Sequence, residues 1–172
     1  MKHRHAAMLL LAGSVVAASL AVSAGAPAAA GQAGGGLVIL DFKPAFDDLM
    51  TMLVQPRHIK LYAAGQQKNW QLAAFQLNEM KQSLRRIGQT IPNYRTYKVD
   101  SSVASFFTPA ADAMDAAIKA GDAAQFTKAY GELTNACNAC HQGMEHAFLV
   151  IKVPDAGAAA AFADQDFAPK PK

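Results

Sequence analysis

Apolar positions along this chain recur at helical spacing, and no segment holds the alternating pattern of a strand for long. Four helical patterns stand between turn signals. The first is predicted over about residues 44–64. Pro44 suits a first turn, and Phe46, Leu49, Met50 and Leu53 form an apolar stripe. Pro56 should kink or break this helix near residues 54–55, and Gly65 offers a C-cap. The second pattern follows Asn69, a good N-cap, and Trp70, Ala73, Leu77, Met80, Leu84 and Ile87 make a heptad seam. Gly88 and Pro92 close it, and a loop carrying Tyr94 and Tyr97 is expected over residues 89–100.

The third pattern covers about residues 101–120. Pro109 either kinks it or begins its main part with Thr108 as the cap. Gly121 and Asp122 read as a stop and a new start. The fourth runs from residue 123 to about 151, with Phe126, Tyr130, Leu133, Cys137, Cys140, Met144 and Phe148 on one stripe. Short turns between four such segments predict an all-α protein, an antiparallel up-down-up-down four-helix bundle.

Composition adds a compartment. Lys2, His3, Arg4 and His5 precede an apolar run at residues 6–20, and small-residue sites follow at residues 22–24 and 28–30. That is the layout of a secretory signal peptide, so residues 1–30 are expected as signal peptide and leader, with cleavage after Ala24 or Ala30. The run falls short of the ~20 residues that span hydrocarbon. A soluble periplasmic protein with no stable membrane span is therefore expected. A Gly-rich leader at residues 31–36 precedes a helical domain at 37–153, and residues 154–172 form an Ala-rich extended tail. The chain carries 16 basic and 13 acidic side chains, and losing Lys2 and Arg4 takes its net charge from +3 to +1. Basic residues are scattered apart from Lys81, Arg85 and Arg86, which argues against a nucleic-acid partner.

The chemistry is concentrated in Cys137-Asn138-Ala139-Cys140-His141, which holds both cysteines of the chain. The spacing C-x-x-C-H reads as covalent attachment of one haem c. Two thiols must reach the two vinyl groups of one porphyrin while an imidazole reaches the iron, and positions i, i+3 and i+4 share a helix face. Cys137 and Cys140 would then be the thioethers and His141 the proximal iron ligand. Three other readings compete. A thioredoxin-type dithiol usually sits at a strand-to-helix turn. A zinc site needs about four ligands, and residues 31–172 supply only Cys137, Cys140, His141, His58 and His146. A disulfide is hard to close across three residues of regular helix.

A four-helix chain with one C-x-x-C-H on its last helix resembles the cytochrome c′ class of monohaem cytochromes. The resemblance covers about residues 37–151, with His58-Ile59-Lys60-Leu61-Tyr62, Asn69-Trp70 and residues 133–141 as its narrower part. His141 is followed by Gln142-Gly143-Met144-Glu145, where cytochrome c′ usually has Phe-Arg. The resemblance implies pairing of two copies through the first helix, with Phe42, Phe46 and Tyr62 as contact residues.

An antiparallel bundle would cover the distal haem face with residues 46–58. Met50 is the first candidate for a distal ligand, because a thioether is an established partner of histidine and low-spin members of the class carry a methionine on the first helix. Ordinary core filling is its alternative role. His58 is the second candidate, as ligand or haem-pocket residue; its alternative is an exposed side chain after Pro56. Met52 is a weaker candidate, whereas Met144 and His146 lie on the proximal side and are read as packing or surface residues. No acid–base or nucleophilic constellation accompanies the motif, so a non-enzymatic electron carrier with a separate redox partner protein is the expected function. The alternative is a five-coordinate haem protein that binds or senses a small gas such as nitric oxide.

Overall fold

The computed structural model describes residues 43–155 and 157–171. The signal peptide, its cleavage sites, the leader and Phe42 lie outside the described residues. Among the described residues the chain is all-α with four helices and one small β-ladder.

Helix α1 combines Phe46–Leu49, a π-helical turn at Met50–Val54, and Gln55–Gln66. Of the kink or break expected near Pro56, the helix shows no break, and a π-helical turn precedes the proline. Pro56 has no N–H to offer the carbonyl four residues back, and its ring crowds that carbonyl. The chain responds by widening one turn, so that the Gln55 N–H donates to the Met50 carbonyl five residues earlier. Helix α3 repeats the solution with Val99–Ser102, a π-helical turn at Val103–Phe107, and Thr108–Ala120. There the Thr108 N–H donates to the Val103 carbonyl ahead of Pro109, so Thr108 lies within a continuous helix instead of capping a new one.

Gly65 is not the cap of α1. It lies inside the helix, where an added Cβ would fall 2.0 Å from Cζ of Phe126 on α4, so its missing side chain admits the ring. The helix ends in a Schellman motif instead. Lys68 takes a left-handed φ of 55°, its N–H donates to the Gly65 carbonyl, and the Asn69 N–H donates to the Ala64 carbonyl. Helix α2, Trp70–Thr90, starts where expected, with the Asn69 side chain accepting from the Leu72 N–H at 3.1 Å. Gly121 (φ 64°) closes α3, and Asp122 caps α4 by accepting from the N–H groups of Ala124 and Gln125. The loop between α2 and α3 contains a short antiparallel ladder, β1 Asn93–Tyr94 with β2 Tyr97–Lys98.

Helix α4 spans Ala123–Gly143 and stops eight residues short of the expected end. A second Schellman motif stops it. Glu145 takes a φ of 62°, its N–H donates to the Gln142 carbonyl, and the His146 N–H donates to the His141 carbonyl. Phe148 is therefore 77% exposed and does not continue the apolar stripe.

Helix α1 packs on α2, α2 on α3, α3 on α4, and α4 returns to α1. The core between them holds Leu61, Ala73, Leu77, Met80, Met114, Phe126, Tyr130 and Leu133. Burying each large side chain contributes roughly 1.5–3 kcal/mol. A second cluster of Leu49, Ile87 and Val99, flanked by Phe46, Met50 and Tyr94, joins the start of α1 to the end of α2 and the start of α3. Beyond Pro154, a 3-10 helix at Ala158–Phe162 lies against α1, and Lys60 sits over the Phe162 ring at 4.6 Å.

Candidate functional site

Helix α4 divides into two parts. Its first half buries Phe126, Ala129, Tyr130, Leu133 and Thr134, whereas Cys137, Cys140 and His141 near its end are half-buried. At 100° per residue these three side chains fall within one face of about 100°. Both cysteines are free thiols. Burial, and then the charge of Cys140, pushes the Cys137 thiol up to about 11, and burial also raises Cys140. Reactive dithiols have lowered thiol pKa values, often at a helix N-terminus. These thiols lie near a C-terminus, where the helix dipole opposes a thiolate. The electrostatics therefore disfavour a thioredoxin-type dithiol. The Cys140 Sγ is 3.7 Å from the Met144 Sδ.

The chain after α4 forms a strap over residues 144–151. His141 Nδ1 lies 2.8 Å from the Leu149 carbonyl oxygen. A carbonyl only accepts, so Nδ1 carries the proton and Nε2 is left as the lone-pair nitrogen of the neutral ring. The Asn138 side chain donates to the Ile151 carbonyl at 2.8 Å and accepts from the Ile151 N–H at 2.7 Å. His146 Nδ1 donates to the Met144 carbonyl at 2.7 Å, so its Nε2 accepts from the Tyr94 hydroxyl at 3.0 Å. The Tyr94 ring in turn stacks on Phe46 at 4.5 Å between centroids. The Phe106 ring, from the π-turn of α3, lies against Gly143.

His58 is buried, which removes the expectation of an exposed histidine after Pro56. Its Nε2 lies 3.0 Å from the Thr134 hydroxyl oxygen. That hydroxyl uses its one proton on the Tyr130 carbonyl at 2.9 Å, so His58 Nε2–H is the donor. The Tyr130 hydroxyl donates to the His58 carbonyl at 2.7 Å, and the two rings are 4.8 Å apart. Burial pushes His58 down to about 4. Burial, reinforced by the Cys137 charge, holds Tyr130 well above the usual phenol range. Met50 lies in the π-turn of α1, partly buried, and packs against both apolar clusters. Met52 is 59% exposed, and Met144 is buried at the end of α4.

The donor set suits a c-type haem: two free thiols on one helix face, beside an imidazole whose tautomer leaves Nε2 for iron. Among the described residues no three His, Cys, Asp or Glu side chains gather as an ion site, and no helix is long and apolar enough to cross a membrane. Sequence reasoning missed Asn138, Tyr94 and Thr134. Asn138 stands within the motif, but its partner lies 13 residues away, and Tyr94 meets His146 across 52 residues. Compared with known proteins, the chain matches no family model, no curated protein and no solved structure.

Proposed function

We propose that this chain is an exported, periplasmic monohaem c-type cytochrome of the cytochrome c′ type, an antiparallel four-helix bundle that carries electrons and catalyses no reaction. Cys137 and Cys140 hold the haem as thioethers, and His141 supplies the proximal nitrogen. The observation that carries this reading is the His141 ring beside two free thiols on one helix face, its Nδ1–H on the Leu149 carbonyl. Short turns and the cyclic packing of α1 on α2, α3 and α4 in succession support the bundle.

A haem held there supplies a one-electron couple whose potential depends on axial ligand, burial and hydrogen bonding. The residues of this chain do the rest. The Leu149 carbonyl fixes the His141 tautomer and raises the basicity of Nε2. The core around Leu133 and Phe107 keeps water from the bundle interior, and the raised thiol pKa values keep Cys137 and Cys140 protonated and slow to oxidise before attachment.

Met50 is the proposed distal ligand. Its thioether needs no proton and lies in a widened helical turn. The bond from His58 to Thr134 favours Met50 over His58, because ligation by Nε2 would break a buried hydrogen bond. The same bond leaves a second reading if Met50 only packs: five-coordinate iron open to a small gas. Optical spectra of protein made in a host with c-type maturation separate the two. A low-spin spectrum unchanged by carbon monoxide, turned high-spin by Met50→Ala, fits electron transfer. A high-spin spectrum that shifts with carbon monoxide fits gas binding. Haem lost to acid–acetone would refute covalent attachment altogether.

A further inference from the structure

Beside the motif, the strap at residues 144–151 has a feature that apolar burial does not explain. Phe148, Leu149 and Val150 are 77%, 45% and 67% exposed, so their side chains do not hold the strap down. Yet the Leu149 carbonyl is set 2.8 Å from His141 Nδ1. The Leu149 N–H donates to the His146 carbonyl at 2.9 Å, which closes a turn within the strap, and two side-chain attachments hold that turn in place. At one end, His146 bridges the Met144 carbonyl and the Tyr94 hydroxyl. At the other, Asn138 meets both backbone groups of Ile151. The carboxamide presents one of its N–H groups and its oxygen in the spacing of a backbone unit, so it mimics a neighbouring strand and fixes the direction of the strap as well as its distance.

We infer that Asn138, within the C-x-x-C-H motif, is the positioning residue of the proximal histidine: it clamps Ile151 so that the Leu149 carbonyl sets the tautomer and orientation of His141. This rests on the proposed haem reading for its purpose, but the arrangement is a property of the polypeptide alone. Asn138 touches neither iron nor porphyrin in this scheme. Its effect reaches His141 through two residues of backbone. Nitrogens held this way are oriented and made more basic by their acceptor, whereas a free imidazole exchanges between tautomers.

The test begins with haem-free chain carrying Cys137→Ser and Cys140→Ser, compared with and without Asn138→Ala and Asn138→Asp. The Asp variant keeps the acceptor for the Ile151 N–H and loses the donor, and its retained bond guards against simple misfolding. Nitrogen NMR of His141 should show the Nδ1–H form dominant in the parent. In Asn138→Ala it should shift toward a mixture, with amide exchange at Ile151 faster by about tenfold or more and Asn138→Asp intermediate. Unchanged tautomer and exchange in both variants, with native circular dichroism, would overturn the inference. In the haem-loaded protein, Asn138→Ala should raise the midpoint potential, because a less electron-rich imidazole stabilises ferric iron less. An unchanged potential would also overturn it. Failure to attach haem would refute the functional reading and leave the NMR result standing.

Discussion

His58 and His141 are the same residue in two regions that treat it in opposite ways. In the interior, His58 sits among Tyr130 and Thr134 with its Nε2–H committed to a hydroxyl, and burial drives it toward neutrality. At the open end of α4, His141 is held through Nδ1 by a backbone carbonyl, so its other nitrogen keeps its lone pair. The interior ring stabilises helix contacts between α1 and α4. The ring at the end is aimed by a strap whose Phe148, Leu149 and Val150 side chains stay exposed. Each neutral ring keeps one lone pair, on Nδ1 in His58 and on Nε2 in His141, and it is the burial of His58 among packed side chains that separates the two.

The largest expected contrast comes from removing the thiols. Cys137→Ser with Cys140→Ser should abolish the proposed covalent haem completely, read as loss of the added haem mass, while the melting of the haem-free chain changes little. Acidification is next and acts on the interior. His58 has its pKa depressed from 6.5 to about 4, so the unfolded chain binds a proton that the folded one refuses. Its stabilising contribution is complete above pH 6.5 and is lost as the pH falls toward 4, by roughly 3 kcal/mol at 1.36 kcal/mol per pKa unit. Urea titrations of the haem-free chain should show this slope, and His58→Leu should flatten it. A slope that survives the substitution would assign it to other groups.

Gly65→Ala should cost about 1–3 kcal/mol, because the new Cβ meets the Phe126 ring and the α1–α4 contact must spread. The same variant should leave the His141 tautomer unmoved, which separates the two regions. The smallest effect is expected at the strap. Glu145→Gly relieves a left-handed non-glycine residue and should stabilise by about 1 kcal/mol in thermal melts. The ion pair it removes, Arg95 with Glu145 at 3.7 Å, is exposed on both sides and contributes little.

The four helices, the Asn69 and Asp122 caps and the Gly121 stop were legible along the chain, because each depends on neighbours within a turn or two. So was the common face of Cys137, Cys140 and His141, which follows from helix geometry alone. The two prolines were read as kinks, a break or a new start because local rules say what Pro prevents. That the helices continue through π-turns depends on the packing that rewards an unbroken rod. The ends of α1 and α4 were misplaced for a related reason. Lys68 and Glu145 occupy positions where glycine is the usual signal, and tertiary contacts on either side outweigh their strain.

What the sequence by itself determined is therefore the set of chemical groups and the helical faces that carry them, through short-range periodicity. The tertiary structure alone decided which partner each group meets: Thr134 for His58, Leu149 for His141, Tyr94 for His146 and Ile151 for Asn138. A hydrogen bond specifies distance and angle in space rather than spacing along a chain, so those pairings arise only once the helices have packed and the strap has turned back.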